Sequence, residues 1–282
     1  MPALLKIAQR ALFISLLFFS IQSFGNNRDE YTDDKSAPSM FSNSSNSPVI
    51  RKISDSIYAL ISLGEYGLEK DIFFNAYKGF QYLKSRGKLR KTNLLTICDY
   101  SQSCNNKRLY VIDVVNSRLL YNTYVSHGKN SGDEYATSFS NFDNSNKSCL
   151  GFMVTESTYN GKAGYSLVLN GLERTFNDKA ESRSIVLHGS HFVNEQIIRA
   201  RGMIGKSLGC PAVPLGVHKK IIDAIKGGSC FFANYPDEFY THTSTILNAP
   251  FDLLPTINNT STSFAIQQTG DFMGIETNII VK

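Results

Sequence analysis

The sequence predicts an α+β fold that is mainly β, with its helices first. Three features carry that reading. Apolar residues recur at helical intervals up to about residue 95, runs of β-branched and aromatic residues follow, and Asn, Gly and Ser turn signals separate those runs. With 282 residues, 42% of them hydrophobic and 12% aromatic, the chain can bury a substantial core in one or two domains.

Residues 1–25 place Lys6 and Arg10 ahead of an apolar run from Ala11 to Ile21, then small residues at Ser23 and Gly25, which is the layout of a secretory signal peptide cut after Gly25. The run is short for a membrane span, and polar chain follows it directly. Residues 26–50 are polar, rich in Ser and Asn and aperiodic, and read as a flexible leader. Over 51–95, Ile57, Leu60 and Ile61, then Leu68, Ile72, Phe73, Ala76, Tyr77, Phe80 and Leu83, recur at helical spacing. Gly64 and Gly67 interrupt them and Gly87 ends them, so this stretch is a helical prelude of two amphipathic helices.

Beyond Leu95 the period shortens. "RLYVIDVVNSRLLYNTY" predicts a hairpin turning at Asn116-Ser117, and "GFMVTESTYNGKAGYSLVLNGLE" carries turn signals at Asn160-Gly161 and Asn170-Gly171. "SIVLHG" predicts an apolar strand from Ser184 to Leu187 that ends at His188-Gly189. A helix is expected from near Pro214 to Gly227-Gly228, then a strand in "SCFFANY". Residues 237–282 form an Asn- and Thr-rich C-terminal extension of short apolar stretches.

The net charge of +5 falls to +3 once Lys6 and Arg10 leave with the signal peptide, too little to define a partner. No glycine loop suited to phosphate and no basic stripe interleaved with aromatics is present, which argues against nucleic acid. Five cysteines, an odd number, leave at least one thiol unpaired in an oxidising compartment.

A thiol attacks a carbonyl as thiolate, so a cysteine enzyme needs a base beside the sulfur. His188, at the end of a buried strand, and Cys210, after Gly209 and ahead of the expected helix, are candidates for base and nucleophile. The Gly209 and Cys210 amides could face an oxyanion, and the helix dipole could favour the thiolate. The alternatives are a Cys210–Cys230 disulfide, a structural role for His188, and a zinc site of His188, His191 and Cys210. The zinc site has no fourth ligand, and its two histidines would face opposite ways on a continuing strand.

"IVLHGSHF" followed by "GKSLGCPAV" resembles the YkuD-type L,D-transpeptidase domain, with its His-Gly, variable loop and Ser-x-Gly-Cys. With "YVIDV" and "SHGKNSGDEYATSFSN", the chain is similar to the murein L,D-transpeptidase subfamily that has a helical prelude, over roughly Ile53 to Pro236. The resemblance implies a β-sandwich of mixed sheets with a packed helix, and a catalytic domain over 96–236. It places the nucleophile on Cys210 and the histidine on His188, with the Gly189 carbonyl orienting the imidazole and Ser207 shaping the loop. Leu208 stands where many relatives carry a second histidine, and Pro211-Ala212-Val213-Pro214 where many carry an arginine. A cation for a substrate carboxylate would therefore come from Lys206, Arg201 or Arg183.

The implied activity is L,D-transpeptidation of peptidoglycan stem peptides in the periplasm or cell envelope, with no cofactor or metal. L,D-carboxypeptidase activity, a non-catalytic peptidoglycan-binding protein and an unrelated cysteine peptidase are the alternatives.

Overall fold

The computed structural model describes residues 47–250. The stretch read as a signal peptide, most of that read as a polar leader, and the chain beyond residue 250 lie outside the described residues. None of the described helices is long and apolar enough to cross a membrane.

Helix α1 (Ser47–Ile61) has Pro48 in its first turn, where a missing N–H costs nothing. It buries Ile50, Ser54 and Ile57 along one stripe. A 3₁₀ turn, Leu63–Tyr66, leads to α2 (Lys70–Ser85), which buries Phe73, Ala76, Tyr77, Phe80 and Leu83. Gly79 lets α2 approach the sheet closely: a Cβ there would lie 2.0 Å from the Phe152 ring, itself stacked on Phe232 at 4.3 Å.

Eight strands form one mixed sheet in the order β3-β2-β1-β8-β4-β5-β6-β7. They are β1 (Leu94–Asp99), β2 (Leu109–Asp113), β3 (Arg118–Thr123), β4 (Gly151–Gly161), β5 (Gly164–Gly171), β6 (Val186–Ser190), β7 (Ala212–Pro214) and β8 (Cys230–Asn234). The β1–β8 and β6–β7 pairs are parallel and the others antiparallel. The α+β class, mixed strand directions and leading helices are as expected, and all strands share one continuous ladder. Strands β1, β2 and β8 are buried at every residue, as central strands covered on both faces must be.

Helix α4 (His218–Ile225) lays Ile221, Ile222 and Ile225 into the main core beneath β5 and β6. Helix α3 (Glu195–Arg201) connects β6 to β7. Beside it, Val193, Ile204, Ala212 and Cys104 form a second, smaller apolar cluster. Helix α5 (Glu238–Thr243) folds back so that Tyr240 and Ser244 donate hydrogen bonds to the buried Glu173 carboxylate.

One local expectation holds and two shift. The β2–β3 hairpin turns at Asn116-Ser117 as read, with Ser117 in the left-handed region (φ 48°). The β4–β5 hairpin turns two residues after Asn160-Gly161, because Gly161 pairs with Gly164. The helix expected from Pro214 begins at His218, since Ala212–Pro214 is drawn into a parallel ladder with β6. Cys210 therefore precedes a strand, and the helix-dipole expectation falls with that geometry.

Candidate active site

The β6–β7 register runs the segments that carry the two predicted residues side by side. His188 sits mid-strand rather than at a strand end, paired with Ser166 on β5 and with Ala212 on β7. Its backbone N–H donates to the carbonyl of Pro211, the residue after Cys210, at 3.3 Å. Side chains alternate across a sheet, so a slip of one residue here would turn the imidazole to the opposite face.

His188 Nδ1 donates to the Gly189 carbonyl at 3.0 Å. A carbonyl can only accept, so Nδ1 carries the proton and Nε2 offers the lone pair. His218, from the start of α4, lies against Gly189. A Cβ on residue 189 would meet the His218 ring at 2.5 Å, so the site admits only glycine there. His218 is itself fixed by an Nδ1–H bond to the Leu215 carbonyl at 2.8 Å. This residue had no signal in the sequence, because it reaches the site across the sheet.

Cys210 is partly exposed, and its thiol donates to the Ser184 carbonyl at 3.5 Å. Ser184 holds a left-handed conformation (φ 55°) that turns this carbonyl toward the sulfur. The loop before Cys210 is self-bonded: Ser207 Oγ donates to the Cys210 carbonyl at 2.6 Å and accepts from the Gly209 N–H at 3.1 Å. Of the two amides expected to face an oxyanion, that of Gly209 is thus already occupied. The Cys210 amide has no acceptor among the described residues.

Gly209 adopts φ 128°, and a Cβ there would stand 2.9 Å from the Lys147 carbonyl, so a side chain is excluded. A second strap holds this loop from outside. The Gly128 N–H donates to Ser148 Oγ at 3.1 Å, and that hydroxyl donates to the Gly209 carbonyl at 3.1 Å.

Burial sets the resting protonation of the pair. It pushes the Cys210 thiol above its ordinary value, offset in part by the Val186 backbone amide and the Arg183 guanidinium. It holds the His188 imidazole below its ordinary value, with the Gly189 carbonyl opposing and His218 adding to the shift. At neutral pH these shifts favour the thiol and the neutral imidazole.

The three candidate cations have different fates. Arg183 bonds the carbonyls of Ser140 (2.6 Å) and Lys147 (2.8 Å) and the Ser145 hydroxyl, so it clamps the 140–147 loop beside the sulfur. Lys206 is held by Asp133 at 2.7 Å and by the Gly132 carbonyl. Arg201 is exposed in the last turn of α3.

All five cysteines are free and, apart from Cys210, buried, so the proposed Cys210–Cys230 disulfide is overturned: Cys230 is enclosed in the central strand β8. Among the described residues no group of three His, Cys, Asp or Glu could hold a metal ion, and His188, His191 and Cys210 form no such group.

A buried pair went unread in the sequence. Arg108 donates to His127 Nδ1 at 2.8 Å, and burial and that guanidinium bring the imidazole down to about 4. The His127 carbonyl accepts the Ser207 N–H at 2.9 Å, so this neutral histidine supports the nucleophile loop from behind. Its only sequence signal was the His-Gly in "YVSHG".

Residues 65–234 match the family described as L,D-transpeptidase catalytic domain. The chain belongs to this family. Solved structures similar to this L,D-transpeptidase domain include an L,D-transpeptidase from Mycobacterium smegmatis, at 9% identity and TM-score 0.33, covering 51% of this chain and 59% of that one. Another, from Stackebrandtia nassauensis, has 15% identity and TM-score 0.31, with coverage of 59% and 68%. A third, comprising residues 123–326 of an L,D-transpeptidase from Xylanimonas cellulosilytica, has 12% identity and TM-score 0.30, with coverage of 66% and 93%. The domain thus spans about three-fifths of the mycobacterial enzyme's length. No curated protein sequence matches the chain.

Proposed function

We propose that the protein is an exported peptidoglycan L,D-transpeptidase that works through a thioester on Cys210. The observation that supports this reading is the β6–β7 register, which runs the segment after the partly exposed Cys210 alongside His188, whose Nδ1 is bonded to the Gly189 carbonyl and whose Nε2 is left as the basic nitrogen. Family membership supplies the reaction class.

In this mechanism the thiol turns from the Ser184 carbonyl to His188. Nε2 takes its proton as the sulfur attacks the carbonyl of the third stem residue, diaminopimelate, and His188 then protonates the departing terminal D-alanine. The Cys210 amide stabilises the oxyanion, a contribution of about 3 kcal/mol for one such donor. The side-chain amine of a second stem resolves the thioester and forms the cross-link. Lys206 and Arg183 are committed to their own loops, so the substrate carboxylate is not theirs to bind.

Incubation of sacculi with wild type and Cys210→Ala, followed by muropeptide analysis, tests this. New diaminopimelate-to-diaminopimelate cross-links are expected with wild type alone. Shortened stems without cross-links would replace transpeptidation by hydrolysis, and identical sacculi in both arms would overturn the enzyme reading.

A further inference from the structure

We propose that His127 and Ser148 are positioning residues of the acyl transfer: together they fix the peptide group between Gly209 and Cys210 and so aim the Cys210 N–H at the forming oxyanion. This rests on the acyl-enzyme reading above and names what holds its amide donor.

The argument begins at a buried charge. Arg108 is fully enclosed and makes no ion pair among the described residues. Its guanidinium is satisfied by neutral acceptors instead: the Val125 carbonyl from Nε and Nη2, both at 3.1 Å, the Gln102 carbonyl at 2.7 Å, and His127 Nδ1 at 2.8 Å. A buried charge that lacks a counter-charge is costly to keep. What this one fixes is a tautomer. A guanidinium can only donate, so His127 Nδ1 accepts, and the ring proton sits on Nε2, which donates to the Gly132 carbonyl at 3.3 Å. The ring is thus gripped at both nitrogens, and its tautomer is the opposite of that of His188.

The peptide group between His127 and Gly128 then serves both ends of the nucleophile loop. Its carbonyl accepts the Ser207 N–H at 2.9 Å, and its N–H donates to Ser148 Oγ at 3.1 Å. Ser148 Oγ donates in turn to the Gly209 carbonyl at 3.1 Å. Flanking bonds run from the Ser126 N–H to the Ala212 carbonyl at 2.9 Å and from the Lys129 N–H to the Ser207 carbonyl at 2.8 Å, one on each side of Cys210. The fit is close: a Cβ on residue 128 would stand 2.4 Å from the Asn146 carbonyl oxygen.

The last link is the peptide plane. No cis bond occurs among the described residues, and in a planar trans peptide the C=O and N–H point in opposite directions. The Gly209 carbonyl is held by Ser148, so the N–H of the same group, that of Cys210, points away from Ser148. Turning that plane breaks the Ser148 bond. An oxyanion donor is effective only when its direction is set beforehand. His127 and Ser148 therefore act on carbonyl addition without touching the sulfur or the substrate.

Two reactions of Cys210 separate this role from general support of the loop. Thioester formation with a stem tetrapeptide passes through an oxyanion, whereas alkylation by iodoacetamide needs only the thiolate. Both are followed by mass spectrometry as first-order rate constants, so the folded fraction does not enter. His127→Leu and Ser148→Ala are each expected to slow thioester formation at least about tenfold and to leave alkylation within about threefold. His127→Gln, whose amide can accept from Arg108 and donate to the Gly132 carbonyl, is expected to stay within about threefold in both reactions. Combining His127→Leu with Ser148→Ala should cost less than the product of the two losses, since they lie on one link. Two rates that fall together, or a thioester rate within threefold of wild type in Ser148→Ala, overturn the proposal, as does a Gln variant no better than Leu. Should His127→Leu not fold, the Ser148→Ala ratio of the two rates decides alone. A wild type that forms no thioester overturns the acyl-enzyme reading and this role together.

Discussion

Cys230 and Cys210 are the same side chain in two settings. Cys230 lies on a strand between β1 and β4, fully enclosed, and burial pushes its thiol far up. Cys98, across the same ladder, is pushed up to about 12. Cys210 stands on a loop at the β7 edge, and burial raises its thiol too. Acidity alone therefore does not separate the proposed nucleophile from the buried thiols. The edge adds three things the centre lacks: solvent access, the His188 imidazole held by the Gly189 carbonyl on the neighbouring strand, and the Arg183 charge. The central ladder holds apolar side chains, whereas the edge is held by side-chain bonds to loop backbone, which fix positions without filling the approach to the sulfur.

The comparison breaks most severely if the base is dispensable. His188→Gln is expected to slow thioester formation on the order of 10³-fold, read by mass spectrometry of the acyl-enzyme, with the fold intact by circular dichroism. A loss of only a few-fold would make Cys210 reactive through its loop alone.

Gly189→Ala is expected to cost about 10²-fold, because the new Cβ would displace either His218 or the carbonyl that orients His188. Pairing it with His218→Ala removes the clash and should recover most of the rate, and a strictly additive double variant would show that the contact does not matter.

At the centre, Glu173→Gln should lower stability by about 1–3 kcal/mol in urea unfolding and leave Cys210 alkylation unchanged. Glu173 accepts from the Phe152 amide at 2.6 Å and from the Tyr240 and Ser244 hydroxyls, and an amide nitrogen in place of one oxygen cannot accept. Burial raises its folded-state pKa over the unfolded value, with those donors opposing. Its contribution to stability is thus full below the unfolded pKa and is lost as pH rises through the folded one. The Gln variant should lack that part of the pH slope.

The smallest effects are on titration. Iodoacetamide should label one thiol per folded chain, with a midpoint above the ordinary thiol value of 9.0. The acid limb of acylation should lie below the ordinary imidazole value of 6.5, since His188 must be neutral to act. Arg183→Gln should raise the thiol midpoint further and slow labelling at pH 8 about threefold. A thiol midpoint below the imidazole midpoint would mean that the pair rests as an ion pair.

The legible parts of the site were those written contiguously. His188-Gly189 and Ser207 to Cys210 each form one turn or strand segment, and their spacing survives folding. What could not be read was supplied across the chain: His218 from α4, Ser148 from a loop 61 residues before Gly209, and the Arg108–His127 pair behind the nucleophile loop. Arg183 was legible as a cation but not as a clamp, because its acceptors are loop carbonyls that no pattern announces. The start of α4 was misplaced for the same reason, since a parallel ladder with β6 overrode the local signal at Pro214.

The hydroxyl link from Ser148 to Gly209 has a kinetic corollary. Contacts closed over 61 residues form late, because the entropy of closing the loop precedes any gain from the bond. The nucleophile loop is tied down by such contacts, and His188 meets it only when β6 and β7 have paired. Until β6 and β7 pair, Cys210 and His188 have no fixed relation to one another.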